Sequence, residues 1–226
     1  GFPALITAMQ CRDRGLGSSL IFLIALTGVF MLQMFWGPIS RLDGLVLLLF
    51  LTAFLALQLL RAKQHRDDTN GEDDYHDEIG TVPAKGRIIA MLLIAGLVAL
   101  PVGAGLMVNS AVDIAQQWHV PEAVIGLTIV AIGTSLPELA TGIMAARQGN
   151  TSVAVGNVIG SNIFNIAAIM GITATIIPVA AGSHILNFDM WVMLATTLLL
   201  IAIPISGLVI GRKLGATMLV AYCAYI

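Results

Sequence analysis

The chain has 226 residues, of which 58% are hydrophobic and only 11% charged, with a formal net charge of -2 and a mean hydropathy of +0.92. A soluble domain of this size carries about 25% charged residues, so this composition cannot cover a water-facing surface, and lipid must be the solvent for most of the chain. The two cysteines, Cys11 in an N-terminal loop and Cys223 in an apolar run, have no metal-type spacing and imply no disulfide framework.

The chain opens GFPALIT, with neither an initiator Met nor a signal-peptide pattern, and stops inside an apolar stretch, so both ends are expected to be cut. A membrane span needs about 20 apolar residues. Runs of that kind lie near 17–36, 44–60, 88–108, 123–146, 152–178 and 190–210. A seventh begins at Leu214 and would rise only about 20 Å by Ile226, short of a bilayer core, so it is expected to be a truncated span.

Between the second and third runs lies the strongly polar stretch 61–87, which holds Asp67, Asp68, Glu72, Asp73, Asp74, Asp77 and Glu78. It reads either as an ion-sensing regulatory loop or as a solvated linker, and it has no EF-hand spacing. Threading seven alternating spans with this loop in the cytoplasm puts Arg12, Arg14, Arg61, Lys63, Arg66, Lys85, Arg87, Arg147, Arg212 and Lys213 on the cytoplasmic side. Of the 11 Lys and Arg residues, Arg41 alone is left outside. The positive-inside rule therefore supports both the span count and the orientation.

The fourth span, EAVIGLTIVAIGTSLPELATGIMAAR, carries Glu138 well inside it. A carboxylate at membrane depth costs several kcal/mol unless it is paired or lines a wet cavity, so it is a functional-site candidate by default. Ala131, Thr134, Glu138 and Thr141 are spaced to share one helix face, with Ser135 beside it. Pro137 has no N–H, so the Gly133 carbonyl loses its helical donor and carbonyls in that turn, including those of Ala131 and Ile132, can tilt from the ladder. A carboxylate, two hydroxyls and loosened carbonyls are hard oxygen ligands suited to Ca²⁺ and Na⁺. Interrupted helices of this kind coordinate cations in transporters.

The fifth span, SVAVGNVIGSNIFNIAAIMG, places Asn157, Ser161 and Asn165 four residues apart as a second polar stripe, with Gly156 and Gly160 in a GxxxG pair that would allow close helix approach. Taken singly, Asn157, Asn162 and Asn165 read equally well as ligands or as interhelical glue.

AIGTSLPE at 131–138 followed by GNVIGSNIFN at 156–165 resembles the signature of the calcium:cation antiporter superfamily, most closely its prokaryotic sodium/calcium exchanger branch. The resemblance is close over 121–171. It implies an all-α membrane protein with ten transmembrane helices in two inverted five-helix repeats. Residues 1–60 would be the end of the first repeat, 61–87 a cytoplasmic linker loop, and 88–226 the second five-helix repeat with the last helix truncated: six full transmembrane helices plus a truncated seventh. Arg41-Leu-Asp-Gly44 and Arg212-Lys-Leu-Gly215, which open the second and seventh spans, are a short echo of such a repeat.

The resemblance further implies that Glu138 binds Ca²⁺ and also serves Na⁺, that Thr134 and the Ala131 carbonyl belong to the calcium site, and that Ser135 and Ser161 supply hydroxyls to sodium sites. Asn165 stands where the potassium-dependent branch favours Asp. GNVIG at 156–160 has Gly where the proton-coupled branch has an acid. Both departures favour Na⁺-coupled Ca²⁺ exchange by alternating access over its K⁺-dependent or Ca²⁺/H⁺ alternatives. The third span, with Pro101, Gly103 and Gly105, would be a peripheral gating helix. The implied partners are Ca²⁺ and Na⁺ as substrates, the lipid bilayer and the missing N-terminal repeat, with no nucleic acid and no cofactor. The implied location is the plasma (inner) membrane, as a multi-pass protein. An intramembrane enzyme using Ser135 would need a base, and the histidines, His65, His76, His119 and His184, all lie in loops.

Overall fold

The computed structural model describes residues 2–10, 16–68, 86–120, 125, 131–206 and 209–225. The described elements are helix α1 (Phe2–Ile6), strand β1 (Met9–Gln10), α2 (Leu16–Phe35), α3 (Arg41–Asp68), α4 (Gly86–Gln117), α5 (Ala131–Thr134), α6 (Leu136–Arg147) and α7 (Thr151–Phe164). A π-helical stretch (Asn165–Met170) then leads into α8 (Gly171–Ile176), and a second one (Ile185–Asp189) into α9 (Met190–Ser206). Strand β2 (Val209–Ile210) and α10 (Arg212–Tyr225) close the order. Among the described residues, five helical runs are long and apolar enough to cross a membrane: Leu16–Trp36, Arg41–Gln64, Gly86–Gln117, Thr151–Ile176 and Ile185–Ile203. The all-helical membrane class expected from composition is therefore the class observed.

Several boundaries differ from the sequence reading. The second span continues as helix through Asp68, eight residues into the stretch expected as a linker, because Arg61, Ala62, Lys63 and Gln64 are good helix formers and no Gly or Pro interrupts them. The rest of that expected loop, 69–85, lies outside the described residues. The third span runs on to Gln117 rather than ending near 108, passing through Pro101 without a break in the helix. Its added turns bring the exposed Asp113 into a helix. The sixth begins at Ile185, earlier than 190. The first part of the fourth expected span, apart from Ile125, lies outside the described residues.

The chain divides into two compact units. One comprises Gly1–Thr7, Glu72–Asn150 and Gly211–Ile226; the other comprises Ala8–Gly71 and Thr151–Ile210. In the first unit, α1 packs on α10 and α6, and α4 packs on α5 and α6. Pro3 approaches Gly142 on α6, where an added Cβ would lie 3.3 Å from the Pro3 Cγ.

The second unit is organised around α2, half of whose apolar window is buried. Leu23, Leu26 and Thr27 of α2 are fully buried together with Leu47 of α3, Ile159 and Ile163 of α7 and Met190 of α9. The α2 helix packs on α7, α9 and α3, while α3 packs on α8 and the π-helical stretch before it. The start of α2 is tied to the last turns of α3 by the Arg61 guanidinium donating to Ser18 Oγ and by Gln58 Nε2 donating to Ser19 Oγ at 3.1 Å.

Two backbone pairings, neither expected from sequence, join segments far apart in the chain. Met9 and Gln10 pair antiparallel with Ile210 and Val209, and Ile39 exchanges hydrogen bonds with Val179, N to O, at 2.8 and 3.0 Å.

The start of α3 explains Asp43. Ser40 is followed three residues later by an acid, the spacing of a capping box. Asp43 Oδ2 accepts from the Ser40 N–H at 2.8 Å and from the Ser40 hydroxyl at 2.6 Å, while the Ser40 hydroxyl accepts from the Asp43 N–H at 3.3 Å. The carboxylate is held by its own helix start, and the Asp43 carbonyl accepts from Gln33 Nε2 of α2 at 3.3 Å.

Candidate ion-binding site

In the first unit, the expected ligand stretch is a broken helix. α5 ends at Thr134, and Ser135 sits at φ -91°, ψ 0°, outside the helical well. Its N–H donates to the Ile132 carbonyl at 3.1 Å, a three-residue spacing that tightens the end of the turn. The regular ladder resumes with the Leu139 N–H donating to the Ser135 carbonyl at 2.9 Å. The cause is local: Pro137 lies in the first turn of α6, where a missing N–H is tolerated, and it leaves the Gly133 carbonyl without the donor that a continuous helix would supply. The stripe Ala131–Thr134–Glu138–Thr141 thus crosses a discontinuity instead of following one regular helix face, which corrects the single-face expectation.

Ser135-Leu-Pro-Glu138 has the same capping-box spacing as Ser40-Arg-Leu-Asp43. Ser135 is the N-cap of α6, and its hydroxyl makes no N-cap hydrogen bond to the helix. Glu138 is half-buried, and one of its carboxylate oxygens, Oε2, is shielded from solvent. The carboxylate stands in the first turn of α6, the end where the helix dipole favours negative charge. Thr134 and Ser135 are exposed. Thr141 donates to the Pro137 and Glu138 carbonyls at 3.1 and 3.0 Å. A hydroxyl that donates to its own helix still has lone pairs with which to accept.

In the second unit, Asn157 and Ser161 are half-buried on α7, and Asn165 is exposed. Ser161 Oγ donates to the Val158 carbonyl at 3.1 Å, and Asn162 Nδ2 donates to the same oxygen at 2.8 Å. Asn165 opens the π-helical stretch Asn165–Met170. Such wider turns often occur at functional positions, because they rotate the side chains that follow and loosen the ladder. Nothing in the apolar pattern of the sequence pointed to it. The GxxxG expectation is not met within this unit: a Cβ at Gly156 would make only an ordinary 3.8 Å contact with Leu16, and one at Gly160 would meet nothing within 4 Å. Close helix approach occurs elsewhere, at Gly44 and Gly171.

No group of three or more His, Cys, Asp or Glu residues suited to a metal occurs among the described residues.

The family model described as "Sodium/calcium exchanger protein" matches residues 88–226, the segment that holds both polar stretches. The chain belongs to the sodium/calcium exchanger family. It is 31% identical over 201 residues to inner membrane protein YrbG of Escherichia coli, covering 88% of this chain and 62% of that protein. It is 34% identical over 209 residues to the putative antiporter CaxA of Alkalimonas amylolytica, covering 91% and 65%. Over 134 residues it is 40% identical to the sodium/calcium exchanger MaX1 of Methanosarcina acetivorans, covering 59% and 38%. Among solved structures, the sodium/calcium exchanger from Methanococcus jannaschii matches with a TM-score of 0.78 at 28% identity, over 99% of this chain and 68% of that one. The chain thus spans just under two thirds of the length of the curated relatives YrbG and CaxA. It is an integral, multi-pass membrane protein.

Proposed function

We propose that this chain is the larger portion of a plasma (inner) membrane antiporter that exchanges Ca²⁺ for Na⁺ by alternating access, with Glu138 as its principal anionic ligand. The observation that carries the reading is the position of Glu138: it follows the break at Ser135, in the first turn of α6, with one carboxylate oxygen shielded from solvent. An acid within an apolar stretch of a membrane chain is best explained by a cation that it binds.

In this reading Glu138, Thr134 and the Ala131 carbonyl serve Ca²⁺, while Ser135 and Ser161 contribute neutral oxygens to Na⁺, and Asn165 supplies an amide oxygen. Membership of an exchanger family and relatives named as exchangers and antiporters support transport over catalysis. The test is Glu138→Gln in the full-length protein. It keeps the shape and removes the charge, and should abolish Na⁺-driven ⁴⁵Ca²⁺ flux. Near-parental flux in that variant would defeat the assignment.

The domain reading is that 1–60 closes a first repeat, 61–87 links the halves, and 88–226 is an inverted second repeat. Internal correspondences support it. Ile39 precedes Arg41-Leu-Asp-Gly44 as Ile210 precedes Arg212-Lys-Leu-Gly215, and these two isoleucines pair with Val179 and Met9. Ile-Thr-Ala recurs at 6–8 and 172–174, ending one residue before Met9 and five before Val179. The helices before these bridges behave alike: α8 packs on α3, and α1 packs on α10. Ca²⁺ takes 6–8 oxygen ligands, and the portion of the relatives' length beyond this chain would supply a second set.

K⁺-dependent exchange is the second reading. It is favoured by 32% identity over 116 residues to sodium/potassium/calcium exchanger 5 of Homo sapiens. Omitting K⁺ from both sides of the vesicle membrane separates the two: unchanged flux supports the Na⁺/Ca²⁺ reading.

A further inference from the structure

The described helical residues Ala131–Thr134 end at the non-helical Ser135. Pro137 weakens their coupling to α6, so packing from a neighbouring helix helps to fix where this turn lies.

The described neighbour is α4. Its less exposed residues in that region, Ala104, Val108, Ala111, Val112 and Ala115, are spaced by three and four and form one stripe. Alanines make up the stripe except at Val108 and Val112. Val108 is seated on Gly133, which is buried: a Cβ built at Gly133 would collide with the Val108 Cγ2 methyl and lie 3.3 Å from the Val108 Cβ. The methyl occupies the space that any other residue at 133 would need. A β-branched side chain in a helix has essentially one χ1 rotamer, so this methyl is a stiff wedge.

We propose that Val108 is a positioning residue for ion binding: its Cγ2 methyl, held in the socket left by the absent side chain of Gly133, sets where the turn presents its carbonyls and the Thr134 hydroxyl. The inference rests on the reading of this turn as the cation site. It explains why glycine stands second to last in the turn, and it makes the position of α4 a determinant of ligand geometry.

The test uses the full-length protein in vesicles, with Na⁺-driven ⁴⁵Ca²⁺ uptake measured against both ions and membrane content measured in parallel. Gly133→Ala should cut transport at least about tenfold, because misplacement of ligating groups by a fraction of an ångström is costly. Val108→Ala, which vacates the socket, should raise the Ca²⁺ KM and the half-activating Na⁺ concentration about 3- to 10-fold, with a smaller change in maximal rate. In the double variant Gly133→Ala/Val108→Ala the collision with the Cγ2 methyl is gone and the remaining 3.3 Å Cβ contact needs a shift of only a few tenths of an ångström, so most of the Gly133→Ala loss should be recovered. A double variant no better than Gly133→Ala alone overturns the proposal, as does a Val108→Ala protein with parental ion dependence. If Gly133→Ala does not accumulate in membranes, Val108→Ile decides, since an enlarged wedge must also shift both ion dependences and parental values sink the idea. Full flux in Glu138→Gln would instead defeat the underlying site reading, so the two failures are distinguishable.

Discussion

Gly44 and Gly171 bring two membrane-spanning helices into contact through bare backbone. A Cβ at Gly44 would lie 2.7 Å from the Gly171 carbonyl oxygen and 2.7 Å from Thr175 Oγ1, and one at Gly171 would lie 3.3 Å from the Gly44 carbonyl oxygen. The Thr175 hydroxyl already donates to that Gly171 carbonyl at 2.8 Å, which leaves it little freedom to yield. Close approach of this kind is how helices gain packing energy in lipid, where burial of apolar side chains gives none.

Gly44→Ala should therefore destabilise the protein by about 1–3 kcal/mol through overpacking. The obstructing atoms are backbone and a back-bonded hydroxyl, not the free end of a flexible chain. Thermal unfolding in detergent checks this, and an unchanged midpoint would show that α3 and α8 do not meet as described. Gly160→Ala, at a position with open space, should be tolerated in the same assay.

Asp43 and Glu138 should respond in opposite ways. Asp43→Ala removes the acceptor of two hydrogen bonds at the start of α3 and should cost about 0.5–2 kcal/mol of stability, while the protein that folds keeps its ion affinity. Glu138→Gln should leave thermal stability near parental and remove the stabilisation that Ca²⁺ gives. Measuring unfolding with and without Ca²⁺ for both variants provides the check. Loss of the Ca²⁺ effect in Asp43→Ala would assign the wrong acid.

Ser135→Ala and Ser161→Ala should raise the Na⁺ concentration that half-activates exchange more than they raise the Ca²⁺ KM, because a hydroxyl is a neutral ligand better matched to a monovalent ion. Removing one such oxygen is expected to shift Na⁺ dependence by about 3- to 10-fold, the size of the net contribution of one ordinary polar contact. A shift confined to the Ca²⁺ term would overturn the division of ligands.

The stretch between α3 and α4 should be cytoplasmic. A cysteine at Asn70, outside the described residues, should resist impermeant thiol reagents in intact cells and react after lysis, as the distribution of Lys and Arg requires. Labelling from outside would reverse the orientation of every span.

Composition and hydropathy alone determined the membrane class and the approximate position of the apolar runs, because lipid imposes a length and an apolarity that can be counted along a chain. The interruption of the helix was equally legible: Pro137 beside Glu138 predicted a break in the ladder from covalent chemistry that needs no neighbour. Helix ends were misjudged at Asp68 and Gln117, since charged and polar helix formers continue a helix past the point where hydropathy falls.

Only the tertiary structure showed that Ser40 and Asp43 close a capping box at the start of α3. Only it showed that Gly133 is filled by Val108, that close approach lies at Gly44 and Gly171 instead of the GxxxG pair, and that the helix widens at Asn165. Each of these depends on which residues from distant parts of the chain arrive at the same place. That arrival is set by side-chain volume and backbone separation across helices, quantities that a one-dimensional apolar pattern does not contain.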